Sequence, residues 1–370
     1  MFGTSYHKPG ALLTISMEYL YAGLVLPDDV YNYTGNLLLI ARGNTLTDNL
    51  IEQLKRFNNS ELDIQVSQRL YNMLMETSAP QRAKQAELEE SIGYADVKNQ
   101  TRNILKIAEI TSHVPYEQVR DIGELVRERL EITEPGLLFQ CINGRKEVDE
   151  YLYRHSVNVA MINGLMGKWL GMGEEGISNL VMLGLIHDVG KTQIPEALMD
   201  APGKLTGEQV EAMKKHTRAS YEILKNNNKF SDEICRAALH HHERMNGSGY
   251  PEALAVDDIP LYARITAVSD VYDTAISGDG HKSAQSPFLV LKQMKEEQFW
   301  GLDIRLVRVF TEYMPKELIG KPVMMSDGRA GVVRHINDMS IEYPIVEIGG
   351  EIVRTNIDLY CVSMIIDGQA

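Results

Sequence analysis

Cysteine is scarce in this chain. Cys141, Cys235 and Cys361 lie far apart and form no C-x-x-C pair. Neither a disulfide framework nor a thiolate zinc site is expected; each cysteine reads as a small buried hydrophobe in a reducing compartment. Positive charge is also short. Lysine and arginine number 37 against 51 aspartates and glutamates, a formal net charge of −14. That balance leaves no basic stripe for polymeric nucleic acid, although a local cationic cluster can still hold a small anion. Long apolar runs are missing too. The longest, Leu37 to Ala41, is far below the ~18 residues needed to cross a bilayer. Met1 to Pro9 lacks a basic stretch followed by an apolar core, so no signal peptide is expected and a cytoplasmic location is. What remains, 44% hydrophobic and 24% charged over 370 residues, is an ordinary globular composition, with length for about two or three domains.

The pattern changes along the chain. Residues 1–75 read as a small α/β module for regulation or docking. Leu37–Ala41 is a strand, Leu50, Ile51, Leu54 and Phe57 mark a helix capped by Thr47 or Asp48, and Leu62–Val66 alternates as a second strand. Residues 76–147 read as a helical linker. Ala83, Ala86, Ile92 and Ala95, then Ile104, Leu105 and Ala108, then Val119, Ile122, Val126 and Leu130 keep helical spacing, and a homodimer through these helices is one option. Residues 148–317 read as consecutive helices, one of them spanning Glu208 to Leu224 and another starting at Ser286-Pro287. Residues 318–370 carry short β-type runs, Val332-Val333, Ile345–Ile348 and Ile352-Val353, around glycine turns, and read as a small β appendage.

Histidine is concentrated. Six of the ten, His155, His187, His216, His240, His241 and His242, crowd into one stretch of the helical region, more than even scatter would place there. His187-Asp188 closes an apolar helix. Such a pair offers a neutral nitrogen and a carboxylate whose two oxygens can bridge two cations, and a hydroxide held between cations ~3.5–4 Å apart can attack phosphorus. Taken alone, the dipeptide fits a helix-end cap better. Mixed His and carboxylate donors suit iron, manganese or zinc rather than magnesium. Adjacent helical side chains diverge by ~100°, so two of His240, His241 and His242 can share a site and all three cannot. Asp270 ends another apolar helical run and adds a second carboxylate.

The order His155-Ser156, His187-Asp188-Val189-Gly190-Lys191, His216-Thr217, His241-His242-Glu243-Arg244, Gly247-Ser248-Gly249-Tyr250-Pro251 and Asp270-Val271-Tyr272-Asp273 resembles the HD-GYP family of cyclic-di-GMP phosphodiesterases, within the HD metal-dependent phosphohydrolases. The resemblance covers about Val148 to Met314. It implies a mainly α fold: a helical HD-type bundle with a dimetal centre, preceded by the α/β module and followed by the β appendage. It implies two divalent ions, iron or manganese ahead of zinc or nickel, held by His155, His187, Asp188, His216, His241, His242 and Asp270, with Asp188 bridging. His240 falls outside that set. By resemblance Lys191 grips a substrate phosphate and joins Asp188 in catalysis, Tyr250 contacts a base or ribose, and Gly247, Gly249 and Pro251 shape the substrate loop. Read without the family, Lys191 is a solvated lysine and the loop an ordinary turn.

Three departures qualify the resemblance. Asn246 stands where the motif carries Asp, which keeps turn chemistry and removes charge. Tyr151 stands where trinuclear relatives carry a metal-binding Glu, so a binuclear site is expected. Asp279 stands where an Arg grips the second phosphate, while Lys282 matches a basic substrate-binding position further on. The expected activity is hydrolysis of cyclic-di-GMP to pGpG in bacterial second-messenger signalling, with further cleavage to GMP left open. The alternatives are a non-catalytic cyclic-dinucleotide receptor or protein-interaction module, and a phosphohydrolase of another nucleotide. A signalling protein partner is a further option.

Overall fold

Alternation and turn chemistry build the first sheet. In this computed structural model the described residues are 93–142, 151–199, 205–277, 285–296 and 301–365, with shorter stretches of the first 70, among them 12–17, 28–32, 37–47 and 63–67. Strands β1 (Leu12–Ser16), β2 (Val30–Tyr31), β3 (Leu38–Ile40) and β4 (Asp63–Ser67) form an antiparallel sheet in the order β1-β4-β2-β3. Ile64 and Val66 are buried on one face of β4, as alternation requires. Thr47 is the helix cap, its hydroxyl accepting from Leu50 N–H at 3.1 Å, and Ile51 and Leu54 enter the core. Phe57 lies outside the described residues. Strands β1 and β2 add to the expected pair: β2 is two residues long, and both take their place by pairing with β4, which is distant in sequence.

From Tyr94 the chain is mainly helical. Helices α1 (Tyr94–Thr111) and α2 (Tyr116–Ile132) bury Ile104, Leu105 and Ala108, and Val119, Ile122, Val126 and Leu130, at the expected spacings. The start of the α1 face is Tyr94 and Val97, while Ala95 is only half-buried. Ala83, Ala86 and Ile92 lie outside the described residues. After α3 (Pro135–Ile142) come α4 (Tyr151–Trp169) and α5 (Glu174–Ile186). The middle of α4 is buried all round. Gly184 lets α5 lie backbone to backbone on α4: a Cβ there would overlap Ala160 Cα and N. This close crossing brings His155 of α4 against the end of α5.

A 3-10 turn (Val189–Gln193) and the short α6 (Glu196–Met199) lead to α7 (Gly207–Lys214) and α8 (His216–Asn227). The single helix expected over Glu208 to Leu224 is thus two, broken at Lys215. α7 starts with a capping box, Thr206 Oγ1 accepting from Gln209 N–H and Gln209 Oε1 accepting from Thr206 N–H. Then follow α9 (Asp232–His240), α10 (Leu261–Ser277), α11 (Pro287–Lys295) and α12 (Ile304–Leu318). Pro287 opens α11, as Ser286-Pro287 signals, though the Ser286 side chain makes no capping bond.

The tail forms a five-stranded antiparallel sheet of β5 (Pro322–Met325), β6 (Ala330–Asn337), β7 (Ser340–Ile348), β8 (Glu351–Arg354) and β9 (Cys361–Met364), in the order β8-β7-β6-β5-β9. The three expected runs lie in β6, β7 and β8; β5 joins by pairing with β6, and β9 by pairing with β5. One hydrophobic core runs from Tyr94 to Met364, so the α1 and α2 helices and this sheet pack around the same interior as α4, α5 and α10. Cys141, Cys235 and Cys361 are buried and form no disulfide, as small hydrophobes.

Candidate metal centre

Helix ends supply most of the centre. His187 follows the last residue of α5, His216 opens α8, and His241 and His242 follow α9, while His155 and Asp270 project from within α4 and α10. All converge on the buried Asp188. Its Oδ2 lies 3.5 Å from His155 Nε2 and 3.4 Å from His187 Nε2. Its Oδ1 lies 3.2 Å from His216 Nε2 and 3.6 Å from His241 Nε2. Asp270 spans the two sides, with Oδ1 3.2 Å from His155 Nε2 and Oδ2 3.7 Å from His242 Nδ1. His155, His187 and Asp188 make one candidate ligand group; Asp188, His216, His241 and His242 make a second, sharing the aspartate.

The opposite ring nitrogens are tied down. Nδ1 of His187 faces the Gly184 carbonyl at 2.9 Å, that of His216 the Met213 carbonyl at 2.7 Å, and that of His241 the Ala238 carbonyl at 2.8 Å. A carbonyl can only accept, so each Nδ1 carries a proton and Nε2 is the ring nitrogen turned toward the centre. The break at Lys215 leaves Met213 in position for His216. His155 Nδ1 is held by Asp273 Oδ2 at 2.8 Å. Nε2 of His155, His187, His216 and His241 and Oδ1 of Asp188 are buried without a hydrogen bond. Orphaned polar atoms are costly in a protein interior. Five of them gathered in one buried cluster fit divalent cations held by nitrogen and oxygen.

Electrostatics agree with that donor set. Burial pushes His187 down to about 3, and it pushes His242 well below the ordinary imidazole range, so both rings are neutral. Burial would raise Asp188 and Asp270. Lys191 beside Asp188, and the His155 imidazole beside Asp270, instead hold both carboxyls well below their usual range. Burial opposes charge on His155, yet Asp188, Asp270 and Asp273 together raise it well above the ordinary value. Lys191 Nζ stands 2.5 Å from Asp188 Oδ2 and keeps partial exposure at the edge of the centre.

The substrate-loop residues border the same centre. Tyr250 stacks on His242 with centroids 4.7 Å apart, and Lys214 Nζ lies 5.3 Å from its ring centroid. The Tyr250-Pro251 peptide is cis, and Gly247 adopts φ +72°. Gly249 has no room for a side chain, since a Cβ would overlap Arg244 N and Glu243 Cα. Buried Glu243 anchors the loop, its two oxygens accepting from Glu252 N–H at 2.7 Å and Leu254 N–H at 3.1 Å. Asn246 Oδ1 accepts from Ser248 N–H and Oγ–H at 3.1 and 2.6 Å, a turn role that needs no charge. Asp279 and Lys282 lie outside the described residues.

His240 points elsewhere, with Nδ1 3.9 Å from Glu243. Tyr151 stacks on His155 with centroids 5.5 Å apart and an interplanar angle of 12°. Sequence reasoning assigns no role to Asp273, Asn158 or Glu243. The signal for Asp273 is its place one turn after Asp270 on the same helix. Nothing local marks Asn158, which meets Asp273 only through the packing of α4 on α10.

Residues 146–302 match the family described as HD domain. A cyclic di-GMP phosphodiesterase of Pseudomonas aeruginosa is 32% identical over 219 residues, covering 59% of this chain and 52% of that protein. A cyclic di-GMP phosphodiesterase response regulator of Xanthomonas campestris is 43% identical over 124 residues, 33% of each chain. A 3′3′-cGAMP-specific phosphodiesterase of Vibrio cholerae is 29% identical over 222 residues, 54% of this chain and 42% of that protein. The chain thus spans about half the length, or less, of these relatives. Among solved structures, an HDG"Y"P protein of Bdellovibrio bacteriovorus aligns with a TM-score of 0.51 at 16% identity, covering 82% of this chain and 99% of that one, a likeness of fold. The sequence motifs, the mainly helical bundle and these matches agree: residues 146–302 match the HD domain family, and the resemblance to the HD-GYP phosphodiesterases is borne out.

Proposed function

We propose that this chain hydrolyses cyclic di-GMP to linear pGpG, water adding across one P–O3′ bond and the proton passing to the released 3′ hydroxyl. The carrying observation is the set of buried, unpaired ligand atoms on either side of Asp188. In this reading His155, His187, Asp270 and Asp188 Oδ2 hold one divalent ion, and Asp188 Oδ1, His216, His241 and His242 hold the other. Their mixed nitrogen and oxygen donors suit iron, manganese, zinc or nickel rather than magnesium, and the family resemblance puts iron and manganese first. Bound ions supply Lewis acidity toward a phosphoryl oxygen and acidify water near neutral pH. Lys191 steadies negative charge on the phosphate, Tyr250 offers a face to a base or ribose, and Gly247, Gly249 and Pro251 let the backbone approach the ligand. Tyr151, stacked on His155 where a third metal's carboxylate would stand, supports a binuclear count.

Protein purified without oxygen should carry about two ions per chain and convert cyclic di-GMP to pGpG, with both properties lost in Asp188→Ala. Absence of turnover with iron, manganese or zinc loaded overturns the reading, and binding without product makes the chain a receptor. A second reading takes 3′3′-cGAMP as substrate. Asp279, replacing a phosphate-gripping Arg, favours it, as does the specificity of the Vibrio relative. The ratio of kcat/KM for the two dinucleotides decides. Among the described residues no helix is long and apolar enough to cross a membrane. The three buried cysteines, none in a disulfide, support a reducing, cytoplasmic setting. Exposed Ile107 and Ile110 on α1 support a homodimer through that helix, which light scattering tests.

A further inference from the structure

A line of buried polar groups leaves the metal centre and ends on α1, outside the segment that matches the HD domain family. Asp273 Oδ2 takes His155 Nδ1 at 2.8 Å, while its Oδ1 accepts from Asn158 Nδ2 at 2.7 Å and Ser277 Oγ at 3.2 Å. An amide facing a carboxylate must present its nitrogen, so the Asn158 oxygen faces away, and there the Tyr94 hydroxyl donates to it at 2.6 Å. Tyr94, Asn158, Asp273 and His155 are all buried, so bulk water cannot replace a missing donor.

We propose that Tyr94 is a positioning residue for the His155 side of the metal centre, acting through Asn158 and Asp273. Without its hydroxyl, Asn158 Oδ1 is a buried acceptor lacking its donor, and the amide gains by turning from Asp273 toward another partner. Asp273 then holds His155 less firmly, and the imidazole is less well aimed at the ion between itself, His187 and Asp188. On the other side, His216 and His241 rest on the backbone carbonyls of Met213 and Ala238, with no link of this kind to α1 among the described residues. α1 thereby acts on one ion of two. The inference rests on the dimetal reading above.

The test is equilibrium competition for Mn2+ between the full chain and a chromophoric chelator, with a thermal melt of each protein. Tyr94→Phe should hold one ion about tenfold more weakly, the low end of the effect of outer-shell partners, and the other unchanged. Thr101→Val removes a buried hydroxyl from the same helix, bonded to the Val97 carbonyl, and should match wild type for both ions. In an Asp273→Asn background, Tyr94→Phe should cause no further loss, because the line is already cut. Two ions bound with wild-type affinity by Tyr94→Phe overturns the proposal. So does an equal weakening of both ions that Thr101→Val reproduces, or full additivity with Asp273→Asn. A wild-type chain that takes up no ion overturns the dimetal reading itself.

Discussion

At the scale of single residues the centre turns on which atoms are free. Asp188 offers one oxygen to each ligand group, and Asp188→Asn keeps its volume while replacing an oxygen by an amide nitrogen that cannot ligate in the same way. Metal content and turnover should fall by more than the about 10–100-fold typical of outer-shell changes, read by elemental analysis and product formation. Glu243 is different, since its two oxygens hold backbone N–H groups of the loop. Glu243→Ala should cost about 1–3 kcal/mol of stability in a denaturant melt. It should raise KM through the loosened Tyr250 loop while the metal content stays. His155, His187, Asp188, His216, His241, His242 and Asp270 are all nameable from motif order, and the structure gathers them in one cluster. Asp273 and Glu243 lie in plain sight inside the same motifs, but their roles depend on which atoms they meet.

At the scale of elements, close approach does the positioning. Gly184→Ala puts a methyl group against the α4 backbone, where nothing flexible can yield. Overpacking of this kind costs about 1–3 kcal/mol. The Tm should fall, and metal affinity should fall with it, because His155 and His187 ride on the two helices being forced apart. Gly249→Ala should instead leave metal content intact and cut kcat/KM, since the clash with Glu243 and Arg244 moves the loop alone. The Glu208-to-Leu224 pattern keeps helical spacing through Lys215, so apolar periodicity could not show the break there.

For the whole molecule, the charge balance of −14 is gathered partly into buried carboxylates whose partners are imidazoles and Lys191. Protonation should therefore destabilise the metal-free protein. His187, near 3 when folded against about 6.5 when unfolded, contributes stability that is complete above about pH 6.5 and is lost as pH falls toward 3. His242, Asp188 and Asp270, all lowered, act in the same direction, while the raised His155 opposes them. Chelated protein should show a Tm that drops from pH 7 to pH 4. Added metal should restore it less well in acid, because His155 must release its proton to bind.

The sequence alone determined the helical class, the small sheets at both ends and the identity of the imidazoles and carboxylates, because periodicity, turn residues and motif order are local properties. Tertiary structure decided which ring nitrogen faces the centre, which Asp188 oxygen meets which histidine, and that Asp273 and Asn158 stand behind His155. Those depend on helices crossing at Gly184 and on breaks such as Lys215, and a hydrogen bond between residues more than a hundred positions apart leaves no mark on the neighbours of either one.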